Sequence, residues 1–391
     1  MRKVKVAIIG GGSSGLFLAN LLNNSNCDVC LLEKNNKLGK KILASGNGKC
    51  NFTNVGDLDG KYNNLLANKI IDKYDVNKTL KAFGEKGLIY KKDEQDRCYP
   101  VSECAASVLD CLKKNLGNIK ILLDSEVTKI YKKENKCFVD YNDKVDCYDY
   151  IVCCSGSKAS NLGSERAYDY LKGLNLKIKE IKPSLVPLKV KENVRSLKGV
   201  RVKCTVSLLD ENNVTIYKEN GEVLFKEDGL SGIAIFNSSS FINRRDGKYK
   251  ISLDLSGGMN NEQLFNYIKE NINEYPYLFK GFLNDKIADY IVSRTDYNKI
   301  NKEEQIGILF DKIKNLVFNV TGFYPFIDSQ VCSGGVSLEE INDNLELKKY
   351  SNIYVSGELL DVDGICGGYN LQFAWSSAGV IADDIKRKTS N

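Results

Sequence analysis

Residues 4–33, VKVAIIGGGSSGLFLANLLNNSNCDVCLLE, constrain the fold more than any other stretch of this chain. Val4–Ile9 is an apolar run too short for a helix and rich in β-branched residues, so it reads as a buried parallel strand. Gly10, Gly12 and Gly15 follow in G-x-G-x-x-G spacing, and an amphipathic helix opens with Leu16, Leu18, Ala19, Leu21 and Leu22 among its apolar positions. A second strand, Asp28 to Leu32, ends in Glu33. Gly10 permits the tight turn, Gly12 lets a pyrophosphate approach the backbone, and Gly15 lets helix and strand pack closely. The helix N-terminus offers unpaired N–H groups to that pyrophosphate, and Glu33 stands where a carboxylate meets an adenosine ribose. A lone glycine pattern also occurs in ordinary turns. Strand, glycines, helix, strand and acid in this order predict a dinucleotide site, without separating FAD from NAD.

The loop after Glu33, KNNKLGKKILASGNGKCNFTN, has no steady period and is punctuated by Gly39, Gly46 and Gly48. Lys40, Lys41 and Lys49 set cations beside the expected phosphates. Ser45, Gly46 and Gly48 permit close approach, and Asn51 supplies an amide to a backbone-lined cradle. Near the other end, a strand at Ile353–Val355 leads to Gly357-Glu358, which brings a carboxylate near a polyol such as a ribityl chain. Gly367 and Gly368 allow a sharp entry into a helix starting near Asn370. The amides of Asn370, Leu371 and Gln372 would then direct positive dipole charge at a flavin edge that becomes anionic on reduction.

Between these ends, helices are expected near 65–72 and 77–85, with a short strand at Leu88–Tyr90. A helix with Ala105, Val108, Leu109 and Leu112 on its apolar face would be capped by Ser102. Arg97 and Tyr99 precede it, at the surface or facing a pocket. Strands are expected at Ile119–Leu123, Glu126–Tyr131, Cys137–Tyr141 and Tyr150–Cys154, with a polar turn around Asn142 and Asp143. They suggest a three-stranded meander set between parallel strands, an arrangement similar to that of FAD-linked folds, in which Val127 would sit where backbone groups commonly meet the adenine. From about Pro187 the pattern changes. Val200, Val202, Cys204, Val206 and Leu208 alternate as a half-buried antiparallel strand, and Asn220-Gly221 carries a type I′ hairpin signal. Three helices, near 261–272, 283–293 and 302–315, complete an insert.

At 391 residues the chain can hold two or three domains. Its net charge of +6 comes from dispersed lysines, which favours a solvated surface over a nucleic-acid stripe. It has no apolar run long enough to span a bilayer, and the first strand begins too early for a signal peptide. Thirteen scattered cysteines fit reduced thiols in a cytoplasm. Cys27 and Cys30 have C-x-x-C spacing but lack both a following helix and a second pair, and Cys153 and Cys154 read as core. The absence of histidine excludes Ser-His and Cys-His triads and His-ligated metals.

Together, IIGGGSSGL, GKKILASGNGKCNFTN, PSLVPL, GEVLFKEDGLSG, CSGGVSLEEI and GELLDVDGICGGYNLQFAWSSAG span the chain from end to end. On these blocks the sequence resembles the bacterial NAD(P)/FAD-dependent oxidoreductases described as aminoacetone-oxidase-like FAD-binding flavoproteins, which include BaiN-type reductases. The resemblance implies an α/β fold of the glutathione-reductase type. A Rossmann-like FAD-binding domain with a β-meander, residues 1–187 and 326–391, would be interrupted by a β-barrel-like plus helical domain, 188–325. Carried over by position, FAD would be held by Gly10, Gly12, Ser14, Gly15, Glu33, Lys34, Lys41, Ser45, Gly46, Gly48, Asn51, Val127, Gly156, Gly357, Glu358, Asn370 and Leu371. CCSGS at 153–157 and Cys332 depart from the family pattern, but neither removes a charge.

These readings favour an FAD-dependent oxidoreductase acting on a small organic molecule, with reduction of an activated C=C bond ahead of amine or aminoketone oxidation. There is no second G-x-G-x-x-G, so an NAD(P)H donor would visit the flavin transiently. Tyr369, Tyr99 and Lys49 are candidate proton donors, and the sequence selects none of them. A flavin-containing RNA-modifying protein would need a clustered basic face with exposed aromatics. A redox sensor would bind flavin without turnover. No nucleic-acid or membrane partner and no metal is expected.

Overall fold

The computed structural model describes residues 3–114, 116–164, 166–295 and 301–390. The chain folds as two compact units, Met1–Lys182 together with Val331–Asn391, and Pro183–Gln330.

The first unit is built on a five-stranded sheet. Its strands are β1 (Val4–Ile9), β2 (Cys27–Leu32), β3 (Lys120–Leu122), β4 (Tyr150–Cys153) and β5 (Ile353–Val355), in spatial order β5-β4-β1-β2-β3. Every pairing is parallel, with Val6 opposite both Tyr150 and Val29. The sheet is covered on both faces, which explains why β4 and β5 read as unbroken apolar runs. Helix α1 (Ser13–Leu22) crosses from β1 to β2, and α2 (Tyr369–Thr389) follows β5. Trp375, fully buried on α2, donates its indole N–H to Phe52 O (2.7 Å) and packs against Phe17 and Phe83, each with ring centroids 5.3 Å away.

The last turn of α2 is fixed to β5 through Asp384. Its buried carboxylate accepts from Tyr354 Oη (2.7 Å), Lys388 Nζ (3.0 Å), Arg387 Nη2 (2.5 Å) and Asn344 Nδ2 (3.0 Å). Burial would raise this carboxyl, but the hydrogen bonds from Tyr354, Arg387 and Lys388 outweigh it and hold the group below the ordinary aspartate value. A depressed carboxyl stabilises the fold above its unfolded value near ~3.9, and that contribution is lost as pH falls through the folded one. Asp384→Ala is expected to cost about 3 kcal/mol near neutral pH. The gap between the melting curves of wild type and variant should hold above pH ~3.9 and close as pH falls through the lower folded value.

The fold class read from the sequence is the one observed, with local corrections. Ile119–Leu123 is not a meander strand but contains the parallel edge strand β3. The meander is Val127–Lys133, Lys136–Tyr141 and Lys144–Tyr148, and Asn142 and Asp143 form the two-residue turn between its second and third strands with φ of 44° and 58°. Ser102 does not cap the helix Ala105–Lys113; Cys104 holds that position without a side-chain cap, and Ser102 Oγ bonds Ser107 Oγ instead (2.7 Å). The strand expected at Leu88–Tyr90 runs from Tyr90 to Lys92.

The second unit contains a closed six-stranded barrel of Leu188–Val190, Gly229–Ser231, Thr215–Phe225, Arg201–Leu209, Lys250–Asp254 and Leu316–Phe323, in that order around it. Helices Asn261–Asn271, Asp285–Val292 and Lys302–Lys314 join its core. The hairpin expected at Asn220-Gly221 is not there. Both residues lie inside one eleven-residue strand, paired with Thr205 and Cys204. The turn falls earlier, where Asp210 Oδ1 accepts from the N–H groups of Asn212 (2.9 Å) and Val214 (2.8 Å). Gly221 serves packing: an added Cβ would lie 3.3 Å from Ala234 Cβ on helix Ile233–Ile242.

Candidate cofactor site

The first turn of the sheet behaves as its glycines require. Gly10 has φ +106°, and an added Cβ would stand 2.5 Å from Cys154 O. At Gly15 it would meet Gly10 O at 1.9 Å, so helix and strand touch backbone to backbone there. Gly12 differs: an added Cβ meets nothing within 4 Å. Its glycine is unexplained by protein packing and leaves open space beside the start of α1. Leu16 N–H donates to Gly12 O (3.0 Å), so the N–H groups of Ser13, Ser14 and Gly15 are the orphan donors of the first turn. Such a cradle fits a diphosphate.

Glu33, 7% exposed, closes the far side. Its Oε2 accepts from Gly11 N–H (2.8 Å), and its Oε1 from the backbone and side-chain amides of Asn35 (2.9 and 2.6 Å). A carboxylate has about four acceptor sites, so capacity remains for a sugar hydroxyl. Ser125 N–H donates to Glu33 O (2.9 Å), which places Val127 two residues beyond this acid's backbone partner. Lys34 is exposed beside it.

The C-terminal segment joins the same neighbourhood. Ser14 Oγ lies 3.1 Å from where a Gly357 Cβ would stand, and a Gly156 Cβ would face Glu358 Oε2 at 3.9 Å. Glu358 Oε2 pairs with Lys41 Nζ (2.9 Å), and its Oε1 accepts from Cys332 N–H (3.0 Å). Burial and the neighbouring Glu358 charge push the Cys332 thiol up to about 12, so it stays protonated. Lys40 and Lys49 are also engaged, with Asn35 Oδ1 (3.2 Å) and Glu103 (2.7 Å).

A second cluster forms where loop 45–54 meets α2. Gly46 (φ +54°) sits close to Asn51, Gly48 faces open space, and Ser45 Oγ donates to Ile42 O (2.6 Å). Asn51 Oδ1 is buried without a hydrogen-bond partner among the described residues, 2.8 Å from where a Gly368 Cβ would stand. An orphaned acceptor here suits a ligand donor. Gln372 N–H, expected to be free, already donates to Gly368 O (2.9 Å). The open donors of the first turn are therefore Tyr369, Asn370 and Leu371. Asn370 turns its side chain back, accepting from Gly364 N–H (2.9 Å) and donating to Gly364 O (2.8 Å).

Sequence reasoning overlooked residues 61–64. Tyr62 Oη donates to Tyr369 O (2.8 Å), and Asn63 Oδ1 accepts from Asp363 N–H (3.0 Å). This aperiodic polar loop ties down the turn before α2, and only its Tyr-Asn-Asn run hints at it.

A model of the family described as HI0933-like protein Rossmann domain matches residues 4–384. The 3-dehydro-bile acid delta(4,6)-reductase of Clostridium scindens is 31% identical over 95% of this chain and 97% of its own length. The ribosomal RNA dihydrouridine synthases of Escherichia coli and Haemophilus influenzae are 27% and 28% identical, over 98% and 97% of this chain and 98% of each relative. With the parallel sheet and its glycine turn, these likenesses define an FAD-dependent oxidoreductase. The chain belongs to the HI0933-like Rossmann family. No helix among the described residues is long and apolar enough to cross a membrane.

Proposed function

We propose that the protein saturates a carbon–carbon double bond conjugated to a carbonyl in a small organic molecule, a cyclic enone of the 3-oxo-steroid or bile-acid type, with NAD(P)H as reductant. The first turn of α2 carries this reading: its three open N–H donors suit a ring that gains negative charge, and the orphaned Asn51 carbonyl near Gly368 suits a ring N–H. Bound flavin supplies the hydride chemistry. The Rossmann turn holds the diphosphate, and the dinucleotide's ribose and ribityl hydroxyls fall to Glu33 and Glu358. Burial pushes the phenols of Tyr99 and Tyr369 upward, so both stay protonated and can hold the proton that the α-carbon needs. Lys49, tied to Glu103, is the weaker candidate.

The substrate class draws support from the relatives. One is named a delta(4,6)-reductase of a 3-dehydro-bile acid, and dihydrouridine is uridine with its enone-like C5–C6 bond saturated. The same chemistry on RNA is the second reading, favoured by the two synthases aligned over nearly the whole chain.

An anaerobic stopped-flow experiment separates these. Holoprotein reduced by NADH or NADPH is mixed with a steroid enone, a uridine-containing ribosomal RNA transcript, an amine-derived iminium, or oxygen. Rapid reoxidation by the enone alone is the expected result. Reoxidation by the transcript transfers the reading to RNA, and reoxidation by oxygen alone overturns it in favour of an oxidase.

A further inference from the structure

The strongest unassigned feature is a chain of buried amide and hydroxyl groups joining loop 45–54 to α2. Thr53 Oγ1 donates to Gln372 Oε1 at 2.5 Å. Gln372 Nε2 donates onward to Thr79 Oγ1 (3.0 Å) and Ser376 Oγ (2.8 Å), and Ser376 Oγ donates to Tyr74 O (2.7 Å). Thr53, Thr79, Gln372 and Ser376 are all fully buried. Phe52 and Trp375, the chain neighbours of Thr53 and Ser376, pack with Phe17 and Phe83 in one aromatic cluster, so this polar chain runs beside apolar packing. A buried amide is tolerated only when its directional bonds are made, and those bonds then fix geometry more closely than apolar packing does.

We propose that the Thr53–Gln372 hydrogen bond is a positioning device that sets the redox preference of the bound flavin. This rests on the reading that the first turn of α2 faces the flavin ring. Gln372 directly follows the three open donors, Tyr369, Asn370 and Leu371. Thr53 directly follows Phe52 and lies two residues past Asn51, whose orphaned carbonyl belongs to the same wall. At Gly368 the two segments are in backbone contact, an added Cβ falling 2.7 Å from Thr53 O. The bond therefore locks the donor turn in register with the loop opposite. Donors held in place favour the anionic, reduced ring over the neutral, oxidised one without reorganising.

The structure contains its own control. Thr79 holds the other end of the same amide, equally buried, but belongs to helix Val76–Gly84, which carries no candidate cofactor residue. The test measures FAD affinity, flavin reduction potential and melting temperature for wild type, Thr53→Val, Thr53→Ser, Thr79→Val and Gln372→Met. Both valine variants are expected to melt lower by similar amounts. Thr53→Val and Gln372→Met are expected to lose about tenfold in preference for reduced flavin, about 30 mV for a two-electron couple. Thr53→Ser should restore the wild-type potential, and Thr79→Val should leave it in place. Equal shifts in Thr53→Val and Thr79→Val, or no shift in Thr53→Val and Gln372→Met, would overturn the proposal. Wild type that takes up no FAD would instead refute the flavin reading beneath it, before any variant is made.

Discussion

Gly12→Ala is expected to fold and melt like the parent protein yet lose FAD affinity by roughly 100-fold, about 2.7 kcal/mol. The structure separates the two effects unusually well. Gly12 has φ −87°, which alanine adopts freely, and its added methyl would touch no protein atom within 4 Å. Nothing in the folded chain requires glycine there. What the methyl does occupy is the space in front of the open N–H groups of Ser13, Ser14 and Gly15, where a diphosphate must come close. Gly15→Ala is the companion. Its methyl would lie 1.9 Å from Gly10 O, and backbone cannot step aside as a side chain can. It should lose about 1–3 kcal/mol of stability along with FAD. Differential scanning fluorimetry and FAD titration of both variants would show binding lost alone at Gly12 and together with stability at Gly15.

The second large effect is expected at Glu33. Truncation to alanine orphans the buried Gly11 N–H and both Asn35 donors and removes the acceptor proposed for the adenosine ribose. An unsatisfied buried donor costs ~1–3 kcal/mol. Glu33→Ala should therefore lose about 2 kcal/mol in stability, and FAD affinity should fall roughly 30-fold. Glu33→Gln keeps one acceptor oxygen and should recover much of the stability. Titration with FAD and with FMN, which has no adenosine, isolates the ribose contact: the variants should lose more towards FAD than towards FMN. Equal losses would remove Glu33 from the adenosine end.

The reach of the sequence followed the range of the interactions. The dinucleotide turn was legible because every step is local: a six-residue strand, a glycine where φ must be positive, a helix and an acid at fixed spacing. The parallel character of β4 and β5 was legible for a similar reason, since two covered faces leave no alternation. Turn chemistry was less secure. Asn220-Gly221 has the stronger I′ composition, yet Gly221 lies where a strand packs against Ala234 and that hairpin turns at Asp210–Val214, whereas the turn expected around Asn142 and Asp143 formed there. Composition offers a turn; packing decides whether it is taken. The links that shape the candidate site were out of reach altogether. Thr53 meets Gln372 across 319 positions, and Lys41 meets Glu358 across 317. Single polar residues in such pairs carry no periodicity. Only the fold brings them together.

The central claim is that the Rossmann turn and the start of α2 hold one FAD between them. Its most direct test is fluorescence and absorbance titration of the purified chain, stripped of bound cofactor, with FAD, FMN and NADH in turn. One FAD bound per chain, tighter than either FMN or NADH, is the expected result. A chain that remains colourless in excess FAD, or that prefers NADH, would contradict it.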